Sequence, residues 1–374
     1  MPRPRSVLRP VAVLLLAACA PAAAPPGGDA APAAAPAARS GAVVRDTVRS
    51  AALRGNPLGD AADRAVAVYL PPSYAAGPAR RYPVVYLLHG FDGDPDQWAG
   101  ERMRLPRAMD SLVAAGAVRE MIVVMPDGRN ALGGSFWANT AAAGRWEDFL
   151  VREVVGHVDR RFRTVPGAAG RGIAGWSMGG HAALRLAGSH PEVFGAAYAL
   201  SPCCLGDLWA DLSPDGEGGA RVWTEADAVR SREALARAGF GARLALAVGA
   251  MASPDAGRPL GIALPFVPGA GGLVPVEPAH AAWSAVSADS LVARHGAGFA
   301  RLRGLAFDAG TEDSFRHIPA STRALAAALA RAGIPHAYEP YAGTHGDRVA
   351  ERLRTRVLPF FSARLEGGQP SGLR

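Results

Sequence analysis

Short runs with strand character recur along this chain at 65–70, 84–88, 121–125, 172–176, 195–200, 305–308 and 337–341. Longer stretches with helical spacing fall among them, at 146–161, 178–189, 314–332 and 347–365. Several of the short runs are apolar without alternation, the pattern of strands covered on both faces. In the first helical stretch Trp146, Phe149, Leu150, Val154 and Val158 recur on one face, and a core-facing stripe is all that this spacing states. The alternation predicts an α/β fold with a mostly parallel central sheet and crossover helices, spanning residues 42–374. A composition that is 49% hydrophobic supplies enough apolar surface for such a core. Residues 205–300 break the rhythm with Pro- and Gly-rich loops and short helices. They are too long for an ordinary connection. A cap-like insertion over the strand ends, where α/β proteins bind ligands, is expected there, with a separate small domain as the alternative.

The beginning of the chain reads differently. Arg3, Arg5 and Arg9 precede an apolar stretch at 11–18. That stretch falls short of the roughly 20 residues needed to span a bilayer but fits the apolar region of an export signal. It ends in Leu16-Ala17-Ala18-Cys19, a pattern resembling a bacterial lipobox, in which the cysteine becomes the lipidated first residue. Residues 1–18 are therefore expected to be a lipoprotein signal peptide. Residues 19–41, almost wholly Ala, Pro and Gly, are expected to be a semi-extended tether. The chain is then an exported lipoprotein, held by acyl chains at Cys19 on a periplasmic or cell-surface membrane face. No later run approaches membrane-spanning length.

The net charge is +7, three of those charges lying in the leader, and every one of the 40 basic residues is arginine. The arginines are scattered among acids, without the basic stripe or interleaved aromatics of a nucleic-acid surface. After Cys19 only Cys203 and Cys204 remain. Two buried thiols are expected there in preference to a strained vicinal disulfide. Their spacing provides no metal site.

Gly175-Trp176-Ser177-Met178-Gly179 is the sharpest local feature. A G-x-S-x-G pentapeptide is weak evidence alone, but this one follows an apolar run and opens a helical one, the strand–turn–helix setting of a nucleophile elbow. The serine must sit in a tight, strained turn, and small residues two before and two after it let strand and helix approach. The N–H of Met178 then points at the space where an oxyanion would form. A second donor is expected from the turn after the strand at 84–88, where Gly90 permits an unusual backbone path and Phe91 carries the N–H. His89 is expected to be structural.

In folds with such an elbow the chain order is Ser, then acid, then His. His345 lies in Ala342-Gly343-Thr344-His345-Gly346, between the last strand and the terminal helix, and is the candidate base. His181 and His317 lie on helices, His336 begins a strand, and His157 and His190 precede the acid. Asp313, in the turn Gly310-Thr311-Glu312-Asp313, is the candidate acid. Asp308 at the strand end is the alternative and Glu312 the third choice. Phe91, Trp98, Phe136 and Trp137 are candidates for lining the site or for the core.

The segments YPVVYLLHGF (82–91), IVVMPDG (122–128), RWEDFLVREV (145–154), GIAGWSMGGHAAL (172–184), HPEVFGAAYALSP (190–202), DAGTEDSF (308–315) and GTHGDR (343–348) together resemble the esterase D-like family of α/β hydrolases. That group includes feruloyl and enterochelin esterases, S-formylglutathione hydrolases and mycolyltransferases. The resemblance implies an α/β-hydrolase fold, Ser177 as nucleophile, Asp313 as acid and His345 as base. It also implies Phe91 and Met178 as backbone oxyanion donors. It predicts a serine carboxylic-ester hydrolase with an acyl-enzyme, a small-molecule ester substrate and no metal or organic cofactor. The leader and the insertion depart from S-formylglutathione hydrolases. An acyltransferase of the mycolyltransferase type and an inactive surface-binding lipoprotein are the other readings open at this point. Oligomeric state and specificity are unassigned.

Overall fold

The computed structural model describes residues 40–206, 208–215 and 217–367. The signal peptide, Cys19 and nearly all of the expected tether lie outside the described residues. The main sheet contains β1 (Ala42–Arg49), β2 (Asp63–Leu70), β3 (Val84–Leu88), β4 (Ile122–Pro126), β5 (Arg171–Trp176), β6 (Ala196–Leu200), β7 (Gly304–Gly310) and β8 (Ala337–Tyr341). Their spatial order is β1-β2-β4-β3-β5-β6-β7-β8. The pairs β1–β2 and β2–β4 are antiparallel, and every pair from β4 through β8 is parallel. This is the mostly parallel sheet expected, with an antiparallel edge.

Strand β1 is the one the apolar-run criterion overlooks. It carries Arg45, Asp46 and Arg49 and is largely exposed, with only Val48 buried. As an edge strand it need be apolar on one side only, and charges there discourage pairing with other chains.

The longer helices, in chain order, begin with α1 (Leu105–Ala114). Helix α2 runs from Trp146–Asp148 through a wider π-turn at Phe149–Val154 into Val155–Arg161. Then come α3 (Met178–Ser189), α4 (Glu217–Ala228), α5 (Phe240–Ala252), α6 (Ala288–Phe299) and α7 (His317–Arg331). Helix α8 joins Val349–Arg352, a π-turn at Leu353–Val357 and Leu358–Arg364.

The continuous apolar strands serve two cores at once. Val84, Tyr86 and Leu88 of β3, with Val124 and Ile173, pack against Phe149, Val154, Leu184 and Leu325 on one face. Val85 and Leu87, with Val123 and Ala174, pack against Leu105, Met109, Leu353 and Phe361 on the other. Full burial of each such aliphatic side chain is worth about 1.5–3 kcal/mol, which is why neither face can tolerate a polar alternation.

Residues 205–300 divide in two. Helices α4 and α5, the hairpin strands Phe266–Gly269 and Gly272–Pro275, and Trp223 and Trp283 form a third core, which also takes in Phe136, Met178 and Ala309 of the main body. Helix α6 instead joins the layer flanking the sheet, with Phe299 in the same core as α3. It lies so close to α3 that a Cβ on Gly298 would sit 1.8 Å from the Gly188 carbonyl oxygen.

Candidate active site

Chain path sets the position of Ser177, the candidate nucleophile. Ser177 follows β5 with φ 57 and ψ −117, a left-handed conformation that side chains rarely adopt. Its N–H donates to Leu200 O at 2.9 Å and its carbonyl accepts from His181 N at 3.0 Å. The flanking glycines are required by contact. A Cβ at Gly175 would lie 2.3 Å from Gly179 carbonyl atoms, and one at Gly179 would lie 2.4 Å from Leu88 O. The turn is thus pressed onto the ends of both neighbouring strands.

The loops after β7 and β8 are stitched together. Thr311 N donates to Tyr341 O at 2.8 Å and Glu312 N to Gly343 O at 3.0 Å. Thr344 N donates to the Asp347 carboxylate at 3.1 Å. On this platform His345 Nε2 stands 3.0 Å from Ser177 Oγ, and its Nδ1 stands 2.7 Å from Asp313 Oδ2. The other carboxylate oxygen, Asp313 Oδ1, accepts from Phe315 N at 2.9 Å. The Asp313 carboxylate is fully buried, and the imidazole is nearly so. Trp176 holds the same histidine from outside: its Nε1–H donates to His345 O at 2.9 Å, and the two rings lie 5.0 Å apart.

The two other carboxylates considered are elsewhere. Asp308 is buried and accepts from Arg352 Nε at 2.6 Å and Tyr198 OH at 2.9 Å, so it ties β7 to α8 and β6. Glu312 is exposed. His89 is a strut: its Nδ1–H donates to Gly90 O and its Nε2 accepts from Gly128 N, each at 2.8 Å. Burial pushes its pKa down, consistent with a neutral imidazole in that role.

On the neighbouring loop, Gly90 N donates to Gln97 Oε1 at 3.1 Å and Asp92 N to Gly133 O at 2.9 Å. Among the described residues the N–H of Phe91, between them, has no protein acceptor. The N–H of Met178 belongs to the first turn of α3, where helix geometry leaves donors open.

A cavity of about 100 Å³ opens above Ser177. Its walls are apolar over most of their extent, with Phe91, Trp176, Phe240, Leu244, Phe315 and the two cysteines. Cys203 and Cys204 are free buried thiols with sulfurs 3.0 Å apart. Of the four aromatics singled out from sequence only Phe91 lines this cavity; Trp98, Phe136 and Trp137 are fully buried in the cores.

Several wall residues carry no functional signature in the sequence, Phe315 and the two cysteines among them. Trp176 is there only the variable position of the pentapeptide. Helix α5 supplies Phe240 and Leu244, and no local pattern dictates how residues 205–300 pack. His317, set aside as helical, lines the cavity, with Nδ1 2.6 Å from Asp211 Oδ2 and Nε2 accepting from Cys204 N at 3.1 Å.

Comparison with known proteins agrees with this architecture. Esterase MT1326 of Mycobacterium tuberculosis is 33% identical over 183 residues, 43% of this chain and 37% of that protein. The endo-1,4-beta-xylanase/feruloyl esterase of Xylanibacter ruminicola is 35% identical over 139 residues, 36% of this chain and 19% of its own. The chain therefore matches well under half the length of these curated relatives. Among solved structures, a ferulic acid esterase superposes with a TM-score of 0.55 at 23% identity, covering 87% of this chain and 99% of the other. An S-formylglutathione hydrolase from Agrobacterium tumefaciens gives 0.54 at 18%, covering 88% and 97%. At those identities the likeness is one of fold. The family model described as "Putative esterase" matches residues 61–260, more than half of the chain. This protein thus has the α/β-hydrolase fold and belongs to that esterase family.

Proposed function

We propose that the protein is a serine carboxylic-ester hydrolase in which Ser177, His345 and Asp313 form the catalytic triad. The observation that carries this reading is the unbroken hydrogen-bonded line from Ser177 Oγ through both nitrogens of His345 to the buried Asp313 carboxylate. Ser177 Oγ attacks the ester carbonyl carbon as His345 Nε2 takes its proton. Asp313 keeps the other proton on Nδ1 and stabilises the imidazolium. The N–H groups of Phe91 and Met178 receive the oxyanion; losing one such donor typically costs about 10²–10³ in rate. His345 returns the proton to the departing alcohol, and water, activated by the same imidazole, releases the acid from the acyl-enzyme.

The apolar cavity beside Ser177 is proposed to hold the acyl group, and its small volume favours compact acyl chains. The feruloyl esterase named among the relatives makes hydroxycinnamoyl esters a rational second panel after short p-nitrophenyl esters. The decisive experiment labels wild type and Ser177→Ala with a fluorophosphonate and measures ester turnover. Labelling and turnover in wild type, both lost in the variant, are expected. Turnover that survives in the variant would discard the proposal.

For the leader, we propose export and lipidation at Cys19, with the enzyme held on an extracytoplasmic membrane face by an Ala/Pro-rich tether. Expression in a bacterial host with radiolabelled palmitate tests this. Label and membrane fractionation should both disappear in Cys19→Ser.

A further inference from the structure

Helix α5 directs three neighbouring side chains toward the strand ends. Phe240 and Leu244, one turn apart, line the cavity over Ser177. Arg243 reaches beside them to the loop after β3. Its Nη1 and Nη2 meet both oxygens of Asp92, at 2.5 and 2.7 Å. Such fork-to-fork pairing fixes direction as well as distance. The same guanidinium lies 5.9 Å from the centre of the Phe91 ring, which Phe240 meets edge-on at 5.4 Å.

The turn that receives this clamp is itself unusual. Asp92 has φ 58, and its N–H donates to Gly133 O. Any Cβ at Gly133 would fall 2.6 Å from Asp92 Oδ1 and 2.7 Å from Arg243 Nη1, so the ion pair is seated against bare backbone. The path of the chain through Phe91 and Asp92 decides where the Phe91 N–H points. The Arg243 and Asp92 side chains retain 22% and 37% of their exposure. Pairs this exposed add little to folding stability, so the two-point geometry bears on placement more than on strength.

We infer that Arg243 is a positioning residue: by clamping Asp92 it fixes the oxyanion-binding amide of Phe91, and by sharing α5 with Phe240 and Leu244 it ties that amide to the acyl-binding wall. The inference rests on the ester-hydrolase reading above. One rigid element of the insertion then serves both substrate fit and transition-state stabilisation.

The test compares wild type with Arg243→Ala, Arg243→Lys, Asp92→Asn and the R243A/D92N double variant. The substrate is p-nitrophenyl acetate, and an arylboronic acid serves as the mimic of the tetrahedral adduct. Arg243→Ala should lower kcat about 10- to 100-fold, at or below the usual loss for outright removal of an oxyanion donor, with KM changed less than about twofold. Boronate inhibition should weaken by the same factor. Asp92→Asn, which keeps a residue type tolerant of positive φ, should match it, and the double variant should be no worse than either single change. Arg243→Lys, with a single-point cation, should recover part of the loss. Unchanged kcat in Arg243→Ala, a loss confined to KM, or undiminished boronate affinity would overturn the inference. Should the alanine variant not fold, the lysine and asparagine variants decide on the same criteria. An active wild type with indifferent variants removes this inference alone. A wild type that neither turns over esters nor takes a fluorophosphonate removes the hydrolase reading and this one with it.

Discussion

Two histidines face the same small cavity, each gripping a carboxylate through Nδ1, and the proposed mechanism gives them opposite tasks. His345 meets Asp313 at 2.7 Å and His317 meets Asp211 at 2.6 Å, with the Phe315 ring against both imidazoles. The difference lies at Nε2. In His345 it faces the hydroxyl of Ser177, a group whose proton can leave. In His317 it accepts the backbone N–H of Cys204, so its lone pair is occupied by a proton that stays. An Asp–His pair is therefore not a catalytic device by itself. It orients an imidazole, and the partner of the far nitrogen decides whether the result is chemistry or architecture. Here the second pair fixes the cysteine wall of the cavity, where Cys204 itself has φ 57.

The comparison breaks first at the nucleophile end. Ser177→Ala and His345→Ala should each reduce kcat/KM on a p-nitrophenyl ester by about 10⁴–10⁶, with fluorophosphonate labelling abolished in the serine variant. His345→Ala retaining turnover while His317→Ala loses it would reverse the assignment of the two pairs. Next comes the acid. Asp313→Asn should cost about 10⁴ in kcat by favouring the wrong imidazole tautomer, with little change in thermal midpoint.

A third imidazole sharpens the contrast, because His181 is buried near the cavity and, among the described residues, is bonded to no carboxylate. Its Nδ1–H donates to Cys203 O, and burial, aided by Arg185, pushes its pKa down to about 4. The unfolded chain takes up that proton first, near pH 6.5. Its contribution to stability is therefore complete above about pH 6.5 and is lost as the pH falls toward 4. The loss is on the order of 3 kcal/mol. Denaturant unfolding of wild type should show a decline in that range, to which His89 and His295, also pushed down by burial, contribute, and His181→Asn should make it shallower. A wild-type curve level between those pH values would remove the argument.

The smallest effect is expected at the structural pair. Asp211→Asn and His317→Ala should lower stability by about 1–3 kcal/mol, seen as a melting point reduced by several degrees, with kcat/KM within about tenfold of wild type. A loss comparable to that of Asp313→Asn would mean that the two pairs are not distinct in function.

How far these features can be read from sequence follows from the range of the forces behind them. The central strands declare themselves because burial on two faces demands unbroken apolar runs such as Val84–Leu88. Strand β1 does not, since an edge position permits Arg45 and Arg49. Ser177 and His345 have local signatures: glycines that a close approach requires, and a small-residue loop after the last strand. Asp313 could be separated from Asp308 only by its place in the turn, and the structure brings the former to His345 and sends the latter to Arg352. Arg243 has no such signature. Its partner Asp92 lies 151 positions earlier, and nothing in the local pattern of either records which arginine of forty would reach it.

The contact between Gly175 and Gly179 carries a consequence for how such a protein can change. Because no methyl group fits between the strand end and the helix start, the height and aim of the Ser177 hydroxyl are fixed coordinates, beyond adjustment by gradual substitution. New substrates must be accommodated by reshaping the roof while the floor stays put. Mutational tolerance should accordingly be lopsided: steep intolerance at 175 and 179, and a graded, selectable response along 240–252, where altered side chains re-contour the chamber without disturbing what lies beneath it.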